Sequence, residues 1–321
     1  MGYIMAEIFQ ENNNMKYLSE HFKELEKRGN YPEEAIKALE ETASKIDGNK
    51  KFAAAFEKLR LRYMNSNSER MSNKNVFILL DKLAKKYKVN EYTLHLVFLI
   101  VCSELLHKRY KAKGISDEIF WRGVDDFRCK MLECMACKHV PGTFVETWNW
   151  GFMHMNRFAL GRFQYEYDDA DFDFTTKAGV HIKKGQQVIN FHIPSSGIPL
   201  TDDIRLDSYK KAYEFFKDQR TPDGYLILRC GSWLLFPGHE KMLFKDSNIL
   251  RFYRDFEIYK WEERDNFGDD WRIWNADAQL PLEQRPADTK LRKAYKDWMT
   301  AGNKTGYGCG VIVFDGEKIV R

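Results

Sequence analysis

Residues 188–235, VINFHIPSSGIPLTDDIRLDSYKKAYEFFKDQRTPDGYLILRCGSWLL, decide the fold. Val188–Ile193 is a short run of β-branched and aromatic residues, which predicts a strand. Pro194 has no amide hydrogen, so the strand should end there, and a turn rich in serine and glycine follows. Apolar residues recur at helical spacing over 206–216, and Tyr225–Leu235 predicts a second strand. This order predicts a βαβ unit whose first turn offers backbone amides to an anion.

Composition and charge limit the class of protein. The chain has 321 residues and 44% hydrophobic content, enough for one large or two ordinary domains with cores. The 51 lysines and arginines nearly balance 47 acidic residues, so the charge pattern does not indicate nucleic-acid binding. The most apolar run, Leu94–Val101, is too short to span a membrane, and the N-terminal residues lack a signal-peptide pattern. With six cysteines and no secretion signal, we expect a cytoplasmic protein.

The hydrophobic period changes near Phe158. Before it the period is helical, with helix starts predicted at Asn90 and Ser116 and a polar loop over 65–75. After it, the stretch ALGRFQYEYDD (159–169) alternates, so a strand there would place aromatic residues on one face and polar residues on the other. The fold class is therefore α+β, with a helical domain over 1–157 and a mixed domain over 158–321.

Further elements are predicted in the second half. The segments 179–182 and 188–193 flank Lys183-Lys184-Gly185 and should form a hairpin. An alternating run over 249–261 predicts a strand, with 271–274 as a candidate partner. A final amphipathic helix is predicted over 287–299 and a closing strand over 306–314.

Four blocks of the second half carry a family resemblance: LGRFQYE (160–166), FHIPSSGIPLT (191–201), CGSWLL (230–235) and SNILRF (247–252). They resemble a little-studied bacterial acyltransferase family that joins a helical N-terminal domain to a C-terminal domain of the GNAT fold. The helical half is similar to this family only in its layout. The resemblance implies an enzyme that uses acetyl-CoA or another acyl-CoA as co-substrate and needs no metal.

The resemblance gives the βαβ unit a specific role. In the GNAT fold two neighbouring parallel strands splay apart, the pantetheine arm lies in the opening, and the pyrophosphate rests on amides of the following loop. In this sequence those positions are Ile193, Ser195, Ser196, Gly197 and Ile198. The usual GNAT loop signature, Arg or Gln with two spaced glycines, is missing, and two carboxylates that would repel a diphosphate follow at Asp202 and Asp203. In the alternative interpretation these aspartates cap the helix and the turn binds nothing.

Acyl transfer to an amine requires a base, donors for the oxyanion and an acid for the departing thiolate. His192 ends the first splayed strand and is a candidate base, since imidazole titrates near neutral pH; the alternative is a structural histidine. Glu166 is the second candidate base, and its alternative is an ion pair with Arg162. His239 is the candidate acid, and its alternative is a solvent-exposed loop histidine.

Substrate contacts are expected from Arg162, Gln164, Cys230, Ser232 and Trp233. A nucleophilic Cys230 would imply a covalent acyl-enzyme, whereas GNAT enzymes generally transfer directly, so we prefer a small buried filler at this position. Cysteines 129, 134 and 137 with His139 have a metal-like spacing. They lie in a predicted helix rather than in turns, so no metal site is predicted.

Two functions from different classes fit these patterns. The first is an acyltransferase that moves an acyl group from CoA to an amine, or alternatively to a hydroxyl, of a small molecule. The second is a non-catalytic module that kept the GNAT fold and binds a small ligand or a protein in an aromatic-rich cleft. Neither function involves nucleic acid or a membrane, and the sequence leaves the acceptor, acyl length and oligomeric state open.

Overall fold

The structure is a computed structural model that describes residues 17–66 and 70–321. The chain divides after Met155 into two compact units, the first helical and the second mixed. The predicted α+β class, with helices preceding a mostly antiparallel sheet, is therefore confirmed.

The helical unit is organised around its long fifth helix. Its helices are α1 (Glu20–Arg28), α2 (Glu33–Asp47), α3 (Lys50–Met64), α4 (Arg70–Tyr87), α5 (Glu91–Ala112), α6 (Asp117–Lys138) and α7 (Trp150–Met153). Most side chains of the first three turns of α5 are buried, and this helix contacts α2, α4 and α6. The predicted caps are confirmed, because Asn90 accepts from the Thr93 amide and Ser116 from the Ile119 amide. The loop predicted over 65–75 is too long, since α4 already begins at Arg70.

The mixed unit is built on a seven-stranded sheet. Its strands are β1 (Arg157–Leu160), β2 (Phe163–Asp169), β5 (Gln187–His192), β6 (Leu226–Ser232), β7 (Glu257–Arg264), β8 (Thr305–Phe314) and β9 (Ile319–Val320), while β3 (Phe174–Thr175) and β4 (His181–Ile182) form a separate pair. The order is β1-β2-β5-β6-β8-β7, with β9 on β8. Among the described residues, β5 and β6 form the one parallel pair. The predicted βαβ unit is therefore present.

Two helices cover one face of this sheet. The helices of the unit are α8 (Asp202–Phe215), α9 (His239–Met242), α10 (Asn248–Tyr253), α11 (Trp271–Trp274) and α12 (Lys290–Thr300). The ring of Phe163 on β2 lies 5.7 Å from Tyr209 on α8 and 5.7 Å from Phe252 on α10. Phe163 and Tyr165 are fully buried, whereas Tyr167, near the end of β2, is 41% exposed. The aromatic side of β2 therefore forms the core, as its alternation predicts.

Ser208 on α8 forms hydrogen bonds to the backbone of the β1–β2 hairpin. Its fully buried hydroxyl donates to the Leu160 carbonyl at 2.5 Å and accepts from the Phe163 amide at 3.2 Å. Gly161, in the turn of the hairpin, has φ +67°, and a Cβ there would lie 3.0 Å from the Ser208 Cα. Both the backbone conformation and the close approach therefore require glycine at this turn.

Three predicted strand assignments are wrong. A turn does close between Lys183 and Gln186, but β4 pairs with β3, and β5 pairs with β2 along its whole length. The segment 249–261 begins as α10, because the Ser247 hydroxyl caps it by accepting from the Ile249 amide, and only then becomes β7. Residues 271–274 form the short helix α11. Segments 287–299 and 306–314 do contain the predicted helix α12 and strand β8.

Candidate active site

The opening between β5 and β6 defines the candidate site. The two strands are in register only at Ile189–Leu228 and Asn190–Arg229. Beyond these pairs, β5 continues to His192 beside β2, while β6 continues to Ser232 beside β8. The carboxyl ends of the two parallel strands therefore diverge, which is the splay that the family resemblance implies.

The loop over 193–201 joins the end of β5 to the start of α8, at the mouth of this opening. Two buried arginines fix its backbone: Arg162 donates to the Pro194 carbonyl at 3.0 Å, and Arg205 donates to the Leu200 carbonyl at 2.6 Å. Gly197 has φ +77° and is exposed, as are Ser195 and Ile198. All five residues predicted to bind the cofactor lie in this segment, and three of them are exposed next to the splayed strands.

The aspartates after the loop lie in the first turn of α8, whose N-cap residue is Thr201, so they favour the helix start without being its cap. Asp202 forms an ion pair with Arg205 at 3.0 Å. Hydrogen bonds from the Thr201 side chain and the Ile204 amide hold the pKa of Asp203 below its usual range. Much of the repulsion that Asp202 would exert on an anion is therefore offset by Arg205, and anion binding by the loop stays a prediction.

The two candidate bases contact each other. His192 Nε2 lies 2.8 Å from Glu166 Oε2, and Arg157 Nη2 donates to the same oxygen at 2.7 Å. Asn156 Nδ2 donates to the other carboxylate oxygen, Oε1, at 3.1 Å. The arrangement follows from the antiparallel register, which places Arg157 opposite Glu166 and Glu166 opposite Asn190. The sheet thus assembles a polar cluster on the side away from the aromatic core.

The predicted ion pair between Glu166 and Arg162 is wrong. Arg157 is the partner of the carboxylate, and Arg162 contacts the loop backbone instead. A two-residue turn at Gly161-Arg162 places position 157 opposite position 166. The length of this turn could therefore have indicated from the sequence that Arg157 is the partner of Glu166. Asn156 and Asn190 were missed for the same reason. Asn190 Nδ2 lies 3.4 Å from His192 Nε2.

The electrostatics of the cluster separate the roles of its two titratable groups. Burial by itself would raise the pKa of Glu166, but the hydrogen bond from His192 and the charge and hydrogen bonds of Arg157 outweigh burial and lower that pKa to about 2. Glu166 is therefore ionised at neutral pH. An ionised carboxylate only accepts hydrogen bonds, so Nε2 of His192 is the donor in this contact. Glu166 therefore orients the imidazole, and the assignment of His192 as the catalytic base stays a prediction.

The pKa of Glu166 makes stability depend on pH. Because the pKa is lower in the folded state, Glu166 stabilises the fold above its ordinary pKa of 4.5, and this contribution is lost as the pH falls towards about 2. We expect Glu166→Gln to be less stable than the wild type by about 3 kcal/mol at about pH 6, with the difference shrinking at acidic pH. Urea unfolding of both proteins across this range measures it. A difference that stays constant with pH would contradict the assignment.

The residues predicted at the end of β6 have structural partners. Cys230 is fully buried, and burial raises the pKa of its thiol, so the filler interpretation fits and a thiolate nucleophile does not. The Ser232 hydroxyl accepts from the Leu234 amide at 3.1 Å and starts a turn of 3₁₀ helix. Trp233 packs edge-on against Tyr295, with ring centroids 5.8 Å apart. Gln164 is buried and lies opposite His192 in the β2–β5 register.

His239 is not the exposed loop histidine of the alternative interpretation. It begins α9, has no exposed surface, and its Nε2 lies 2.6 Å from the Tyr295 hydroxyl. Burial lowers the pKa of His239 to about 4, so the ring is neutral at physiological pH. A neutral side chain without exposed surface cannot contact a bound thiolate in this conformation. The structure therefore gives His239 a packing role and contradicts its assignment as the catalytic acid.

The three cysteines with metal-like spacing all lie on α6, and His139 lies at the end of this helix. Cys129 and Cys134 are buried on α6, and His139 caps this helix in the left-handed conformation with φ +57°. Across residues 17–66 and 70–321, no group of three or more His, Cys, Asp or Glu side chains could hold a metal ion. No helix within these ranges is long and apolar enough to cross a membrane.

Comparisons with known proteins agree with this geometry. Residues 20–155 match the family model of the N-acyltransferase N-terminal domain, and residues 158–312 match that of the GNAT-like C-terminal domain. No curated protein matches the sequence.

Several solved structures are similar over nearly the whole chain. A crystal structure of an acyltransferase in complex with decanoyl-CoA and teicoplanin is 20% identical, with a TM-score of 0.68, and the match covers 92% of this chain and 88% of that one. An acyltransferase in complex with CoA and 10C-Teicoplanin is 19% identical, with a TM-score of 0.68 and coverage of 94% and 90%. An acyltransferase in complex with decanoyl-CoA is 20% identical, with a TM-score of 0.58 and coverage of 91% and 99%.

These similarities extend the fold assignment to both units of the chain. The two family models together account for the helical unit and for nearly all of the mixed unit. The chain therefore belongs to the family of two-domain N-acyltransferases, in which an N-acyltransferase N-terminal domain precedes a GNAT-like C-terminal domain.

Proposed function

We propose that this protein transfers an acyl group directly from acyl-CoA to an amine in the opening between β5 and β6. The observation that carries the proposal is His192, which lies at the diverging end of β5 and is hydrogen-bonded to the ionised Glu166. Family membership and the acyl-CoA complexes of the similar structures support it.

The donor is expected to bind along the diverging strands. Beyond Asn190 and Arg229 the β5–β6 register stops, so backbone groups on the facing edges can bond to an extended ligand. The pantetheine arm carries two amides and fits such an edge. The loop residues Ser195, Ser196 and Gly197, of which Ser196 is half-buried, then lie where the pyrophosphate would follow, and the start of α8 adds a favourable dipole.

The polar cluster supplies the base for the reaction. His192 takes a proton from the acceptor amine, directly or through water, as the nitrogen lone pair attacks the thioester carbonyl carbon. The tetrahedral intermediate collapses with cleavage of the C–S bond, and the thiolate takes up the proton held by the His192 imidazolium, directly or through water, so the products are an amide and CoA and the base is regenerated. Glu166 holds the imidazole in the required tautomer, and Arg157 and Asn156 keep that carboxylate ionised and in place.

The acceptor is inferred to be an amine on a small molecule. Two of the similar structures contain teicoplanin or 10C-Teicoplanin together with CoA or an acyl-CoA. We therefore favour an amine-bearing small molecule such as a glycopeptide. Because CoA esters are intracellular metabolites, we place the reaction in the cytoplasm.

A non-catalytic GNAT module is the second candidate. The loop lacks the usual glycine signature and is followed by Asp202 and Asp203, which favours a protein that kept the fold without binding CoA. The His192–Glu166 pair argues against this candidate, because an oriented base is of no use to a purely structural cleft.

An acyl-CoA series separates the two candidates. A ligand present at 100 times its Kd stabilises the folded state by about 2.7 kcal/mol, which for a chain of 321 residues raises the Tm by about 4 °C. We expect acetyl-, octanoyl- or decanoyl-CoA to produce such a shift, and release of free thiol when small-molecule amines are added. A shift without thiol release would favour the non-catalytic module. The absence of a shift with every CoA species would contradict the donor assignment.

A further inference from the structure

A basic groove lies on the helix-covered side of the sheet. It is a cavity of about 410 Å³ between the first turns of α8, the end of α10 and the chain segment around β9. Its basic side chains are Arg205, Arg251, Arg254, Lys318 and Arg321. Its carboxylates are Asp202, Asp255 and Glu317. The surplus of positive charge in one concave surface indicates an anionic ligand.

The carboxylates of the basic groove are already paired. Asp255 accepts two hydrogen bonds from Arg205, at 2.7 and 3.2 Å, and a third from the Tyr209 hydroxyl at 3.0 Å. Asp202 also contacts Arg205, at 3.0 Å. Glu317 pairs with Lys210 at 2.6 Å, a lysine outside the groove. Arg205 is therefore a structural cation, and the carboxylates leave the other basic groups largely uncompensated.

The remaining cations are exposed and weakly engaged. Arg251 reaches Asp202 only at 3.5 Å, and 46% of its side chain is exposed. Arg254 donates to the Lys245 carbonyl at 3.4 Å, and Arg321 donates to the Arg254 carbonyl, so both guanidinium groups bond to neutral backbone. Within the described part of the chain, no carboxylate lies within ion-pair distance of Arg254, Lys318 or Arg321. These groups can bind an anion without first breaking a strong ion pair.

The basic groove begins where the proposed pyrophosphate loop ends. Arg205 donates to the Leu200 carbonyl in that loop and contacts Asp202 at the rim of the groove. Arg251 lies beside the same Asp202. In a CoA molecule whose pyrophosphate binds to the loop, the next charged group is the 3′-phosphate. It is attached to the ribose that follows the pyrophosphate. A phosphomonoester carries nearly two negative charges at neutral pH and is bound well by arginine forks.

We propose that the basic groove binds the 3′-phosphate of CoA, with Arg251 and Arg254 as the direct ligands and Lys318 and Arg321 adding positive charge. This assignment rests on the proposed function and adds a specific phosphate site to the proposed CoA site. It also explains how the chain can hold CoA without the glycine signature of the loop, because part of the affinity comes from a phosphate that the loop does not touch.

The test compares two ligands that differ by one phosphate. Binding of CoA and of 3′-dephospho-CoA is measured by calorimetry for the wild type, for Arg251→Gln/Arg254→Gln, and for the control Lys293→Gln. Lys293 is an exposed lysine on α12 outside the groove. We expect the wild type to bind CoA about tenfold more tightly than dephospho-CoA, and the double variant to lose this preference while binding dephospho-CoA as the wild type does. The control should behave as the wild type does.

The possible outcomes separate the assignment of the basic groove from the proposed function. Equal binding of both ligands by the wild type, or an equal loss for both in the double variant, would overturn the assignment of the groove but not the CoA site itself. Failure of the wild type to bind either ligand would overturn the proposed function and the groove with it. Retained binding of dephospho-CoA by the double variant also shows that the variant is folded.

Discussion

Replacement of His192 by alanine is expected to lower kcat about 100- to 10,000-fold, which is the usual contribution of a positioned general base. The side chain is 20% exposed beside the opening, and its Nε2 is hydrogen-bonded to Glu166, which fixes the orientation of the imidazole towards an acceptor amine. The affinity for acyl-CoA should stay nearly unchanged, because the proposed donor contacts come from backbone and from the basic groove. Thiol-release kinetics and calorimetry measure the two quantities.

A second histidine provides the control for this experiment. His181 on β4 is exposed and hydrogen-bonded to the Thr175 hydroxyl at 2.9 Å, outside the polar cluster. We expect His181→Ala to retain wild-type kcat. Lost CoA affinity with unchanged turnover in His192→Ala would contradict the assignment of the base.

Replacement of Arg157 by methionine is expected to destabilise the fold by about 3–5 kcal/mol. The Arg157 side chain is 1% exposed and donates twice to Glu166 Oε2, at 3.2 and 2.7 Å. Without it, the hydrogen-bond donors left to the largely buried carboxylate of Glu166 among the described residues are His192 and Asn156. Urea unfolding at neutral pH measures the loss.

A double variant separates the lost ion pair from lost packing. In Arg157→Met/Glu166→Gln no uncompensated charge is left, so part of the stability should return, and the coupling between the two positions follows from the cycle. Arg264→Met is the exposed control, because Arg264 pairs with Glu262 at the surface and should cost at most about 1 kcal/mol. An Arg157 variant no less stable than this control would contradict the account.

The local chemistry of 188–235 was sufficient to predict the βαβ unit. Pro194 ends β5, the serine and glycine turn follows, and the helical period of α8 is regular, so each boundary has a local cause. The divergence of β5 from β6 has no local cause, because strand pairing depends on residues far apart in the chain. Only the family resemblance indicated the opening.

Two residues of the polar cluster could be predicted from the sequence, but their contact could not. His192 and Glu166 are each a candidate base in the sequence, yet their pairing depends on the register of three strands. Arg162 shares the polar period of β2, but it lies in the hairpin turn, so Arg157 reaches the carboxylate instead. Periodicity gives the face of a side chain and not its position across the sheet.

The wrong assignment of His239 has a tertiary cause. The surrounding residues, PGHEK, are typical of an exposed loop. The chain between β7 and β8 supplies α12, whose Tyr295 hydrogen-bonds to the imidazole and whose packing covers it. The contact joins residues 56 positions apart in the sequence, so the burial of His239 cannot be predicted from its neighbours in the chain.

A crystal structure with a non-hydrolysable acyl-CoA analogue would locate the donor site. We expect the thioester position between His192 on β5 and the end of β6, with the pyrophosphate on the backbone of Ser195–Ile198 and the 3′-phosphate at Arg251 and Arg254. Density for the analogue elsewhere on the molecule, with the gap between β5 and β6 filled by the protein's own side chains, would contradict this placement.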